Sequence, residues 1–291
     1  MHFYYIYYRR EAKFQMGTKK AFLKLCYWGG LALIFNIGIY IFMGQQKAVE
    51  FLGGYIIEQS LSLDNLFLFL IIFKSFGIGP RFQNRILTYG IIGAIILRLV
   101  FIILGVSIIN AFHWMLYVFG IALIISGIKM FSTNEKIKNF KESFLFKTLK
   151  RIMPVTDSLH GEKFFIFKNK RLYATPLFAI LILIEGSDII FAMDSIPAIF
   201  SITTDLFIVY TSNIFAILGL RNMYFLLERL QRSFILVKYA VALILIFTGV
   251  KLTLLFFNID ISVVYSLMVI SSILVLSVIF SILVNANETV E

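Results

Sequence analysis

Two segments, "EQSLSLDNLFLF" (58–69) and "DIIFAMDSIPAI" (188–199), set carboxylates inside otherwise apolar runs. Each holds an acid, five further residues, and then Asp followed by Asn or Ser. Glu58 and Asp64 in the first, Asp188 and Asp194 in the second, and Glu185 just upstream are costly in such a setting. On insertion scales a charge at the centre of a membrane helix costs about 2.5–3.5 kcal/mol, so each must face a partner or a water-filled cavity. The other plausible ligands are Ser62, Asn65, Ser195, Asn213 and the main chain, so every candidate ligand is an oxygen, and no Cys or His accompanies them. Oxygen donors suit a hard divalent ion such as Mn2+, Mg2+ or Ca2+ better than zinc or copper. The chemistry implied is coordination of a cation. No nucleophile–base pair or cofactor motif is present, which argues against an enzyme and against a resident cofactor.

The rest of the chain says where that coordination takes place. Of 291 residues, 60% are hydrophobic and 15% charged, with a mean hydropathy of +0.90. Soluble domains run near 45–50% apolar and about 25% charged, so this is an integral membrane protein. A span needs about 20 mostly apolar residues. Eight stretches qualify: 26–43, 49–72, 86–108, 111–131, 174–200, 206–228, 234–256 and 262–284. Their apolar runs are continuous rather than alternating, which predicts helices and not barrel strands. Cys26 is the sole cysteine, and His2, His113 and His160 have no metal-ligand spacing.

Lys and Arg content sets the orientation. The first 25 residues carry six cations and one acid and do not read as a signal peptide. The 73–85 loop has Lys74, Arg81 and Arg85, the 132–173 connection has ten cations against four acids, and 229–233 has Arg229 and Arg232. Connections between these are nearly free of cations, so both termini are expected in the cytoplasm of a cell whose inner membrane holds the protein. The net charge of +11 is then mostly a topology signal and not a nucleic-acid patch. The basic 132–173 connection reads as a solvated linker within reach of anionic lipid headgroups.

The two acidic segments also mark an internal repeat. "SGIKMF" (126–131) and "TGVKLT" (248–253) follow them in the same order, with Arg98 and Arg221 between. The spacing from Arg98 to Lys129 is 31, and from Arg221 to Lys251 it is 30. Each unit holds three spans, an odd number, so the second must cross in the opposite sense, as inverted repeats of secondary transporters do. The expected organisation is a basic arm (1–25), an extra first helix (26–48), one repeat (49–131), the basic loop (132–173), the inverted repeat (174–256) and a last helix with a short tail (257–291). Lys129 and Lys251, near span ends, are expected to snorkel. Arg98 and Arg221 lie deeper, for pairing with an acid or for contact with substrate. On an intact helix, acids six residues apart point about 120° away from each other. Pro197, in a helix-start pattern "DSIP", therefore suggests that span 174–200 is interrupted near Asp194, and span 49–72 between Ser60 and Asn65.

"EQSLSLDNLFLF", "ATPLFAILILIEGSDIIFAMDSIPAIF" and "IVYTSNIFAILGLRNMYFLL" resemble characteristic segments of the TerC family of integral membrane proteins. The likeness runs from about residue 50 to 256, outside the basic loop. That family is named for tellurium resistance, is associated with manganese efflux and falls within the LysE group of exporters. The resemblance implies that Glu58, Asp64, Asn65, Glu185, Asp188 and Asp194 occupy the acidic motif positions, and that Mn2+ is the substrate. The expectation is an all-α membrane protein of about eight helices that exports a divalent cation in exchange for protons. Alternatives are a membrane component of a tellurite or stress-response assembly without transport, and an exporter of a small organic cation or amino acid. A homo-oligomer is compatible with any of these.

Overall fold

A computed structural model describes residues 18–132, 144–156, 159–168, 171–230, 236–257, 259 and 261–288. The basic arm before Thr18 and most of the 132–143 linker lie outside the described residues. The remainder is almost entirely helical: α1 (Thr18–Met43), α2 (Gln45–Ser75), α3 (Pro80–Ala111), α4 (Met115–Ser132), α5 (Phe144–Ile152), α6 (Pro176–Phe200), α7 (Leu206–Leu230), α8 (Val237–Leu254) and α9 (Val263–Glu288). Seven of these are long and apolar enough to cross a membrane. The eighth expected span, 111–131, forms the shorter apolar helix α4.

The expected interruptions do not occur. Both α2 and α6 run unbroken through their acidic segments. In α2, Ser60 donates its hydroxyl to the Ile56 carbonyl, four residues back at 2.5 Å, as a continuous helix allows. In α6, Ser195 is engaged by a side chain of α3 and caps nothing. Pro197 sits in the closing turn, where the one amide it removes costs the helix little before it ends at Phe200.

Two large apolar cores fill the bundle at different heights, beside a smaller cluster of Ile39, Ala48, Phe51 and Ile208. One joins Leu66–Phe73 of α2, Ile86 of α3, Leu177–Ile184 of α6 and Leu220–Leu227 of α7. The other joins Ile57 of α2, Ile102 of α3, Ala192–Phe200 of α6, Val209 of α7 and the inner face of α8. Outward faces of α1, α3 and α9 carry exposed Ile34, Ile41, Ile96, Ile103, Leu276 and Ile279, suited to lipid.

Helices α4 and α8 pack antiparallel through small residues. A Cβ on Gly120 would lie 2.8 Å from the Gly249 carbonyl, and one on Gly249 would lie 2.6 Å from the Gly120 carbonyl. One turn pair further along, a Cβ on Gly127 would meet the Ala242 carbonyl at 2.7 Å. Absent side chains thus let two backbones touch, the usual role of small residues between membrane helices.

The basic connection is not a plain linker. Besides α5, it holds a hairpin, β1 (Phe165–Lys168) paired antiparallel with β2 (Arg171–Ala174), Phe165 facing Ala174. The hairpin is tied to α3: Glu162 accepts from Arg81 and, at 2.9 Å, from Arg85. The Arg85 guanidinium also lies 5.3 Å from the centre of the Phe164 ring.

Replacing Gly249 with Val should lower the thermal midpoint in detergent, at a cost of about 1–3 kcal/mol for overpacking. The hydrogen bond from Arg81, with help from Arg85, holds the Glu162 carboxyl below its ordinary range. A pKa lower in the folded than in the unfolded state means the clamp is complete above the ordinary carboxylate range. It is lost as pH falls through the depressed folded value. Hydrogen-exchange protection of 165–174 should therefore fade on acidification, and Glu162→Gln should lose that dependence.

Candidate functional site: a buried guanidinium among oxygens

Between the two apolar cores lies a layer of polar side chains. On α2, residues 58, 62 and 65 fall on one stripe of an intact helix, and on α6 so do 188 and 195. These stripes face each other, with Arg98 of α3 and Asn213 of α7 closing the ring. Glu58, Ser62 and Asn213 are fully buried, Arg98 is 1% exposed and Asp188 5% exposed.

Arg98 is the hub. Its Nη1 donates to Glu58 Oε1 at 2.5 Å, Ser195 Oγ at 2.9 Å and Asn213 Oδ1 at 3.4 Å. Its Nε and Nη2 grip Asp188 as a fork, at 3.2 Å to Oδ2 and 3.1 Å to Oδ1. Around this, Asn213 Nδ2 donates to Glu58 Oε2 at 2.9 Å, and Ser62 Oγ to Glu58 Oε1 at 3.3 Å. Asn65 Nδ2 reaches Asp188 Oδ1 at 3.5 Å, leaving its own Oδ1 buried without a hydrogen bond. Two carboxylates and one guanidinium leave the layer with a formal charge of −1.

Glu185 stands one helical turn from Asp188, and neither of its buried carboxylate oxygens has a hydrogen-bond partner. It occupies a notch in α3 made by missing side chains. A Cβ on Gly93 would lie 2.6 Å from the Glu185 carboxyl, and one on Gly90 3.4 Å from its Oε1. A small cavity is lined by Glu185 and Asp188 together with Leu87, Gly90, Ala94 and Leu220.

Of the six expected ligands, Glu58, Asn65 and Asp188 share the layer, and Glu185 borders it. Asp194 does not. Being six residues from Asp188 on an unbroken helix, it turns toward α4, where Ser126 donates to it at 3.0 Å. The side chain of Asp64 lies outside the described residues. Of the supporting set, Ser62, Arg98, Ser195 and Asn213 are in the layer, and Pro197 is buried in the core. Arg221 donates instead to Thr88 Oγ1 at 2.9 Å. Lys129 is exposed, in keeping with snorkelling, but Lys251 is only 2% exposed and donates to Ser266 Oγ at 2.9 Å. Among the described residues no three acidic, His or Cys side chains gather as a metal-binding group. Amide and hydroxyl oxygens must complete any cation shell here. The notch at Gly90 and Gly93 had a sequence signal in the small-residue pattern "GIIG".

Removing one partner of a buried ion pair costs about 3–5 kcal/mol, because the other charge is left stranded. Glu58→Leu should accordingly lower the thermal midpoint strongly, whereas Asp194→Ala, which gives up the one hydrogen bond from Ser126, should cost about 1 kcal/mol. Midpoints measured in the same detergent would test both.

Known proteins give this layer a family context. Residues 43–289 match the profile of the "Integral membrane protein TerC family". A Myxococcus xanthus membrane protein is 48% identical over 200 residues, covering 69% of this chain and 63% of that protein. A Rickettsia bellii membrane protein is 46% identical over 215 residues, covering 74% and 71%. An Escherichia coli relative, 45% identical over 226 residues and covering 75% and 70%, bears the name "Putative membrane-bound redox modulator Alx". No solved structure matches the chain. With the match extending over every acid, amide and cation of the layer, the chain belongs to the TerC family of integral membrane proteins.

Proposed function

We propose that this protein is a secondary transporter that exports a hard divalent cation, Mn2+, from the cytoplasm in exchange for protons. The observation that carries this reading is the convergence of Glu58 and Asp188, at matching repeat positions, on one dry polar layer at mid-bundle. Such a layer costs free energy without adding stability, and ionisable residues of this kind inside membranes mark ion pathways. Its oxygens are the hard donors that such a cation prefers.

Inverted repeats are supported by contacts that exchange with each other. In the repeat alignment, 58 matches 188 and 65 matches 195. The Asn65–Asp188 contact then corresponds to the pairing of Ser195 and Glu58 through Arg98. Likewise 127 matches 249 and 120 matches 242, and Gly120 meets Gly249 while Gly127 meets Ala242. Matching helices that touch at exchanged positions must run antiparallel, which suits rocking of one repeat against the other. The basic connections put both termini and the 132–173 segment on the cytoplasmic side of the cell inner membrane.

A second reading follows from the name of the Alx relatives: a membrane component of a redox or stress-response assembly without transport. Thiol chemistry would have to use Cys26, which precedes the family-matching residues. Mn2+ uptake into vesicles with an imposed proton gradient separates the two. Transport predicts flux by the wild type and by Cys26→Ser, with loss to the level of empty vesicles in Glu58→Gln and Asp188→Asn. Flux unchanged in both acid variants would remove the transporter reading.

A further inference from the structure

The layer already contains a cation, and that cation is part of the protein. Arg98 holds Glu58 Oε1, both oxygens of Asp188, Ser195 Oγ and Asn213 Oδ1. Those are the atoms a transported ion would need. A divalent ion cannot share them with a guanidinium at contact distance, since like charges in a low-dielectric interior repel strongly. Nor can the guanidinium leave for lipid or for an apolar core without a new counter-charge.

Such a counter-charge is at hand. Helix side chains lean toward the N-terminus of their own helix, and Ala94, Gly93 and Gly90 lie in that direction from Arg98 along α3. The Glu185 carboxylate packs against Gly93 and Gly90 with both oxygens unpartnered, and lines a small cavity with Ala94 and Asp188. Only one turn of α6 separates Glu185 from Asp188.

Building on the transporter reading, we propose that Arg98 is a tethered substitute for the cargo: it pairs with Glu58 and Asp188 while the site is empty, and swings to Glu185 when a divalent cation displaces it. This gives Glu185 a role other than ligand. It also explains why a buried carboxylate stands unpaired beside a buried arginine.

Mn2+ binding to the purified full chain, measured by titration in detergent, tests the exchange. A site blocked most of the time binds with its affinity scaled by the open fraction. Arg98→Gln should therefore bind Mn2+ about 10- to 100-fold more tightly than wild type, and Arg98→Lys, with a shorter arm and no fork, should lie between. Glu185→Gln should weaken binding by about tenfold in the wild-type background and have no effect when combined with Arg98→Gln. A weakening that persists in the double variant makes Glu185 a direct ligand and overturns the exchange. So does Arg98→Gln binding no tighter than wild type. If Arg98→Gln is recovered folded only with Mn2+ in the buffer, the metal is replacing the guanidinium as proposed; no recovery even then counts against it. Absence of Mn2+ binding by both wild type and Arg98→Gln would instead sink the transporter reading itself.

Discussion

One buried guanidinium, clasped by carboxylates from two antiparallel helices, organises this protein. Charged groups of this kind surrender their water at a cost of several kcal/mol each, and a low-dielectric interior returns that only if nearly every lone pair and proton finds a partner. The bundle is arranged to meet that demand. Ser62 and Asn213 serve Glu58, Asn65 serves Asp188, and Ser195 takes the remaining reach of Arg98. Four helices are thereby tied at one level, with apolar packing above and below. Hydrophobic residues of equal volume would hold four helices together as well or better. The layer is a functional expense rather than a stabilising device.

The main features could be read from the residues, within limits that have physical causes. Hydropathy placed every apolar helix, because spanning length and lack of charge leave few alternatives. Paired acids in a matching context pointed to the layer, since their cost in a membrane is conspicuous. The reading of broken helices failed on an assumption that all the acids must meet at one point. Asp194 and Asp188 instead use the divergence of six residues on an intact helix, one facing Ser126 and the other Arg98. The hairpin at 165–174 escaped notice because a two-stranded unit in a basic loop has no apolar alternation long enough to stand out. Lys251 looked like a snorkelling residue from its place near a span end. Only the packing of α9 reveals Ser266 as its partner.

Family membership gives the chain a context without naming a cargo. The region matched to relatives includes both acidic segments, Arg98 and Asn213, while Cys26 falls outside it. Control of cellular redox state by such a protein would be exerted through what it moves or senses. The metal-oxygen reading and the relatives' name are compatible on those terms.

The polar layer lies between two slabs of Ile, Leu and Phe, and those slabs are electrical insulation. In such a medium a single uncompensated charge is felt over long distances, because no solvent is there to screen it. A layer that carries a formal −1 therefore sets up a negative potential that disfavours anions beside it. The same potential is a shallow well for cations. A buried ionic layer between two apolar slabs thus favours one sign of charge over the other.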